Sequence, residues 1–275
     1  MNYIVKKLVE LALAEDIGAG DITTDYLIDS DAVGSGYIVA KEPLVVAGLN
    51  IVKMVFKELD SDIKFTSGYN DGDLVGKGSI IFEMKGNLRA LLKGERTALN
   101  FLQRLSGIAT NVRSYVNEMA DTTTRLVDTR KTIPGFRSLE KYAVRVGGAF
   151  NHRMALYDGV LIKDNHIAAC GSIKNAVDKI RDHVSHLVKI EVEVSDFDQL
   201  NEALEAQSDV IMLDNMSVEE VRKAVMIIDG RAVVEVSGSV TIEQLKELAA
   251  TGVDIISSGA LTHQARAVDI SMRIN

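Results

Sequence analysis

One feature limits what this chain can fold into more than any other: a repeat of strand and helix in its second half. Lys189–Val194, Asp209–Leu213, Ala232–Val236 and Asp254–Ser257 read as strands with helical patterns between them. Their carboxyl ends at Glu193, Asp214, Ser237 and Ser258 stand 21, 23 and 21 residues apart. One strand and its return helix need about that length, and a regular succession of such units builds a parallel sheet closed, or nearly closed, into a barrel. Arg125–Asp128 and Val160–Ile162 add two strands, and a further one is expected near Gly147–Asn151. Eight units do not fit between Asn111 and the C-terminus. The predicted fold is therefore α/β, an incomplete βα barrel of six or seven parallel strands.

The first half obeys a different pattern. An amphipathic helix is predicted over Met1–Leu13, followed by the Gly-rich turn Asp16-Ile-Gly-Ala-Gly-Asp21, whose acids would repel phosphate. From Gly34 to Met84, short apolar runs alternate with Gly and Asp turns, with a helical stretch near Ile51–Leu59, and this reads as a smaller α+β domain. Between Arg89 and Met119 an apolar stripe at helical spacing predicts two helices, with Gly94 and Gly107 as breaks. The expected domains are 1–106 and 107–264, with the tail 265–275 packing on the first.

Composition narrows the function. With 275 residues, 47% of them apolar, the chain can bury a full core. A formal charge of -8 without blocks of like charge argues against nucleic-acid and anionic-membrane partners. No signal peptide or membrane span is read from the N-terminus. The sole cysteine, Cys170, excludes an intramolecular disulfide and a multi-thiolate metal site. A cytoplasmic location is expected.

Against that charge, Arg125–Lys163 carries eight Lys or Arg and three acids, so the segment is +5 and predicts a local anion site. Its polar residues fall where barrel strands end, the rim that faces the open mouth. They are Asp128-Thr129-Arg130-Lys131 after the first strand, Asn151-His152-Arg153, and Lys163 after Gly159-Val-Leu-Ile162. Arg offers a planar fork for carboxylate or phosphate, and Lys a point charge. Glu193 and Asp214 end two later strands and suit sugar hydroxyls, magnesium-bound water or a developing positive centre, although ion pairs to Lys163 or Lys131 are an equal reading. Val236-Ser-Gly-Ser239 and Ser257-Ser-Gly-Ala260 lie where barrels hold phosphate. Spacing alone stops at glycosyl transfer from a phosphorylated sugar to a carboxylated acceptor.

At these residues the chain closely resembles the quinolinate phosphoribosyltransferase family. The matching pieces are Gly94-Glu-Arg-Thr-Ala-Leu-Asn100, Leu105-Ser-Gly-Ile-Ala-Thr110, Asp128-Thr-Arg-Lys-Thr132, Asn151-His-Arg153, Leu161-Ile-Lys-Asp-Asn-His166, Glu191-Val-Glu193, Leu213-Asp-Asn215 and Ser258-Gly-Ala-Leu-Thr-His263. The resemblance implies phosphoribosyl transfer from 5-phosphoribosyl 1-pyrophosphate to quinolinate with decarboxylation, giving nicotinate mononucleotide. It also implies that Arg130, Arg153 and Lys163 meet the acceptor carboxylates, with Thr129 and His152 alongside. Arg96 would reach in from the neighbouring subunit of a homodimer, or of a higher oligomer of dimers. Lys131, Glu193 and Asp214 would hold the ribose pyrophosphate, with Mg2+ carried by that substrate, while Ser237, Gly238, Ser239, Gly259 and Ala260 cradle the 5-phosphate. Ile133, Phe136, Ala149, Phe150 and Met154-Ala155 depart from the family's usual pattern, changing wall shape more than charge.

Three other readings remain open on sequence. A relative in the same fold group is associated with molybdate transport genes, a Schiff-base aldolase would use Lys163, and a sugar-phosphate sensor would bind without turnover.

Overall fold

The computed structural model describes residues 3–275. In chain order the elements are α1 (Tyr3–Ile17), α2 (Ile22–Leu27), β1 (Val33–Ala40), β2 (Leu44–Val45), α3 (Leu49–Leu59), β3 (Lys64–Thr66), β4 (Leu74–Val75), β5 (Ile80–Asn87) and α4 (Leu88–Glu118). The chain continues as β6 (Arg125–Val127), α5 (Arg137–Gly147), β7 (Val160–Ile162), α6 (Asp164–Cys170), α7 (Ile173–Arg181), β8 (Ile190–Val194), α8 (Phe197–Glu205), β9 (Val210–Asp214), α9 (Val218–Ile228), β10 (Val233–Ser237), α10 (Leu245–Ala249), β11 (Ile255–Ser257) and α11 (Ala260–His263). The last element is β12 (Ile270–Ile274).

Two compact units result. Among the described residues, the first comprises 3–113, 133–148 and 264–275, and the second 114–132 and 149–263. The expected 106/107 boundary falls inside α4.

In the first unit a four-stranded sheet runs in the order β12-β1-β5-β3, its pairs antiparallel. The C-terminal strand β12 pairs with β1 from Gly36↔Ile274 to Ala40↔Ile270, which fastens the tail to this unit. One face of the sheet is apolar: Phe65 sits between Phe56 and Phe82, with ring centroids 6.4 and 5.4 Å away. α1 covers part of the unit through Val5, Val9 and Leu13, one side chain per turn. Asp21 caps α2 by accepting the Thr24 amide at 3.0 Å, so the Gly-rich acidic turn ends in a helix cap.

The stretch expected to form two helices is a single 31-residue helix, α4. Its glycines are points of close approach. A Cβ on Gly94 would lie 2.7 Å from the Phe56 ring, and one on Gly107 would lie 2.0 Å from the Arg266 carbonyl oxygen. The helix tolerates the propensity cost of two glycines, about 1 kcal/mol each, because each lets a neighbour pack where a side chain could not.

The second unit holds a six-stranded parallel sheet in the order β6-β11-β10-β9-β8-β7. β6 and β7 are its open edges. Next to β6, Phe150 makes a lone parallel bridge with Val127, its amide donating to Leu126 and its carbonyl accepting from Asp128. The extra strand expected near Gly147–Asn151 is thus reduced to one residue, and the barrel is incomplete. Alternation within the strands divides its residues. Val192, Val194, Ile211, Leu213, Val234, Val236 and Ile256 are buried on one side, and the residues between them face the barrel interior.

Candidate active site

Interior-facing positions of β7 to β11, with the segment that follows β6, converge on one cavity of about 520 Å³ at the strands' carboxyl ends. Period-two spacing explains its lining: Leu161 and Lys163 follow from β7, Met212 and Asp214 from β9, Glu235 and Ser237 from β10, Ser257 and Gly259 from β11. Glu193 comes from β8, and Thr129 and Lys131 from the segment after β6. On β9 and β10 the last residue, Asp214 or Ser237, lies at the rim, and its i−2 neighbour, Met212 or Glu235, lies one layer deeper.

The cationic side is built on a buried anchor. Asp128, fully buried, accepts the Asn151 side-chain amide at 2.6 Å and the His152 backbone amide at 2.9 Å. This ties the segment after the Phe150 bridge to the end of β6, so His152 and Arg153 face the same cavity as Arg130 and Lys131. Arg153 donates from its guanidinium to the Gly159 carbonyl at 2.8 Å. Burial, and then the neighbouring Arg130 charge, lower its pKa from the ordinary value, so it is a desolvated cation beside another cation. That is a field suited to an incoming dianion.

Lys163 and Glu193, side by side at the ends of the paired strands β7 and β8, form an ion pair, with the lysine side chain 42% exposed and the glutamate 15%. Asp214 accepts the Asn215 side-chain amide at 2.8 Å. Asn215 itself holds a left-handed backbone conformation, φ +53°, a strain common at working sites. Its amide is held by the Ser237 carbonyl at 3.1 Å.

The two Ser-Gly loops have separate steric reasons. Gly238 has φ +133°, and a Cβ there would come within 2.6 Å of the Asn215 side-chain oxygen. A Cβ on Gly259 would lie 2.7 Å from Cδ of Lys131. Thr262 also donates its hydroxyl to the Lys131 carbonyl at 2.8 Å, so the β11 loop shapes the course of Lys131.

Of the fourteen residues named from sequence, twelve line this cavity. Ala260 is buried at the start of α11, one residue beyond Gly259. Arg96 is exposed on α4, within the first unit. Of the departures, Phe136 stacks on Phe101 with centroids 5.6 Å apart in the first unit, and Phe150 carries Arg125 over its ring.

Sequence reasoning missed a buried cluster beneath the cationic side. His152 Nε2 lies 3.2 Å from Glu191 Oε2 and 3.6 Å from Glu235 Oε1. Glu191 and Glu235 are 7% and 1% exposed. Burial, and then the Glu191 carboxylate, push Glu235 up to about 7. The signal was available: Val233-Val-Glu-Val-Ser237 places an acid in an otherwise apolar strand body, where a carboxylate needs a reason to be.

Comparison with known proteins meets this geometry at its strongest point, because the match extends over both units. Residues 21–106 match the N-terminal domain of quinolinate phosphoribosyl transferase and residues 108–273 its C-terminal domain. The chain belongs to the quinolinate phosphoribosyltransferase family. It is 46% identical over 275 residues to a probable nicotinate-nucleotide pyrophosphorylase (carboxylating) of Bacillus subtilis (strain 168), covering 100% of this chain and 95% of the relative. The chloroplastic nicotinate-nucleotide pyrophosphorylase (carboxylating) of Arabidopsis thaliana is 40% identical over 293 residues, covering 100% and 84%. Among solved family structures, the Francisella tularensis nicotinate-nucleotide pyrophosphorylase superposes with a TM-score of 0.94 at 44% identity, covering 99% of this chain and 96% of that one. NadC from Streptococcus pyogenes gives 0.96 at 39% identity, covering 100% and 98%.

Proposed function

We propose that this chain transfers the phosphoribosyl group of 5-phosphoribosyl 1-pyrophosphate to the ring nitrogen of quinolinate and replaces the adjacent carboxylate with hydrogen. The products are nicotinate mononucleotide, pyrophosphate and carbon dioxide, a step of de novo NAD biosynthesis. The observation that carries this reading is the single cavity in which Arg130, Lys131, Arg153 and Lys163 face Glu193 and Asp214, with a Ser-Gly loop on each of two adjacent strands.

Each group has a chemical part. Arg130 and Arg153 present planar donors to the two acceptor carboxylates, and Lys163 adds a point charge. Its partly exposed ammonium can exchange the pairing with Glu193 for a contact to the incoming carboxylate. Lys131 stabilises the leaving pyrophosphate. Glu193 and Asp214 favour the positive charge that develops on the ribose as the anomeric bond breaks. Once the ring nitrogen is quaternary, the ring accepts the electron pair left by departing carbon dioxide. Magnesium enters with the pyrophosphate, and the carboxylate oxygens of Asp214 are hard donors of the kind that hold it directly or through water. Ser237, Gly238, Ser239, Gly259 and Ala260 take the 5-phosphate.

The working unit is a homodimer, in which the exposed Arg96 of one copy completes the cavity of the other. A lone cysteine supports a reducing compartment such as the cytoplasm, and among the described residues no helix is long and apolar enough to cross a membrane.

The test is an assay with quinolinate, phosphoribosyl pyrophosphate and magnesium, following nicotinate mononucleotide and carbon dioxide together, with nicotinate as control acceptor. Equal amounts of both products from quinolinate alone are expected. Binding without turnover would instead favour a sugar-phosphate sensor.

A further inference from the structure

The reaction replaces a carboxylate on a ring carbon with hydrogen, so a proton must reach that carbon after carbon dioxide departs. The rim groups so far described are cations or are engaged with the sugar. One layer deeper, Glu235 lines the same cavity as Arg153 and Leu161, yet it is 1% exposed. Its Oε1 and the Oε1 of Glu191 are buried and find no hydrogen-bond partner among the described residues. A folded protein rarely keeps such atoms without a use for them.

The neighbouring groups define the cluster's state. His152 Nδ1 accepts the Arg153 backbone amide at 2.8 Å, and its Nε2 faces Glu191 Oε2 at 3.2 Å. One atom from each of His152, Glu191 and Glu235 lies within 4.8 Å of the others, and two buried carboxylates at such range cannot both ionise cheaply, so one keeps its proton. The group pushed up to about 7 is Glu235, the carboxyl that faces the cavity.

We propose that Glu235 is the acid that delivers hydrogen to the ring carbon vacated by the departing carboxylate, with Glu191 and His152 holding its carboxyl in place. The inference rests on the proposed function. The carbon–carboxylate bond breaks and leaves its electron pair on the ring carbon. The Glu235 O–H bond breaks, and its proton forms the new C–H bond. The glutamate then recovers a proton from water when product leaves. Protonation also commits the reaction, because the ring carbanion could otherwise recapture carbon dioxide.

The test is a single turnover with enzyme in excess over quinolinate, in the presence of phosphoribosyl pyrophosphate and magnesium, measuring pyrophosphate and nicotinate mononucleotide in the same quenched samples. In the wild type the two should rise together; no nicotinate mononucleotide at all would overturn the proposed function itself. In Glu235→Gln, pyrophosphate release should persist while nicotinate mononucleotide lags by about 10²-fold or more, with a nucleotide that retains both carboxylates accumulating. Coincident appearance of the two products in Glu235→Gln, fast or slow, would overturn the role of Glu235 and leave the function standing.

The wild type supplies a measurement that needs no variant. The groups that bear on Glu235 are Glu191 from β8, His152 from the segment after Phe150 and the Ser257 hydroxyl from β11, and β9 presents the uncharged Met212 at its level. At about pH 9 Glu235 has lost its proton, and the same lag should appear; coincident products there would overturn the proposal. Glu191→Gln should move the onset of that lag to lower pH, and an unchanged onset would remove Glu191 from its part.

Discussion

At the scale of single residues, the cavity works by gathering charge from separate strand ends around one mouth. Arg153 and Lys163 each aim a preorganised cation at the acceptor, so Arg153→Ala or Lys163→Ala should lower kcat/KM by about 10²–10³. Steady-state kinetics with quinolinate varied checks this, and near-wild-type values would remove the residue from the site. Gly259 is a subtler case. A methyl group there meets the flexible stem of Lys131 at 2.7 Å, which can swing aside with the fold intact. Gly259→Ala should therefore keep its melting temperature within about 2 °C while losing activity about 10-fold or more, since a misplaced charge costs catalysis before it costs stability. Glu235 affects stability as well. Its folded pKa is raised from 4.5 to about 7, so the folded state holds this proton more tightly than the unfolded chain does. The associated stability is complete below about pH 4.5 and is lost as pH rises through about 7, on the order of 3 kcal/mol. Urea denaturation from pH 5 to 8 should show Glu235→Gln gaining on the wild type as pH increases; a constant difference would contradict the assignment.

At the scale of elements, α4 shows how packing overrides a local rule. Alanine at position 107 would favour the helix by about 1 kcal/mol, but its Cβ would sit 2.0 Å from the Arg266 backbone carbonyl. Backbone cannot step aside as a lysine stem can, so overpacking wins, typically by 1–3 kcal/mol. Gly107→Ala should lower the denaturation midpoint with an unchanged m-value, whereas a neutral or stabilising effect would mean that the segment from Gln264 is loosely held. The barrel strands show the opposite case, in which local pattern and tertiary role coincide. Alternation sends Val192 and Val194 outward and Glu191 and Glu193 inward, so the acids share one interior and differ only in depth.

At the scale of the whole molecule, the proposed sharing of Arg96 between copies makes a specific demand. Arg96→Ala and Lys163→Ala would each disable every site in a homodimer. Mixed one to one and allowed to exchange subunits, they should regain about a quarter of the wild-type activity, because about half the dimers are then hybrids and each hybrid contains one intact site of two. Failure to regain any activity, with hybrid formation verified by native mass spectrometry, would place Arg96 in its own subunit or outside the site. The -8 net charge is compatible with an anionic substrate pair because four cations of the +5 segment, Arg130, Lys131, Arg153 and Lys163, are gathered at the barrel mouth.

The sequence by itself determined the barrel and most of its rim. A regular spacing of strand ends is imposed by the length of a strand and its return helix, and alternation dictates which side chains enter the barrel. That is why Lys163, Glu193, Asp214 and the Ser-Gly loops were legible in order. Tertiary structure decided what depends on closeness between residues far apart in the chain. The continuity of α4 rests on what packs against Gly94 and Gly107, and no propensity reports the Phe56 ring or the Arg266 carbonyl. The seventh strand shrank to the Val127–Phe150 bridge because Asp128 captures Asn151 and His152 directly after it. The Glu191–His152–Glu235 cluster likewise has no sequence spacing to announce it. Its members come from two strands and a loop, and only their common burial makes one carboxyl keep its proton.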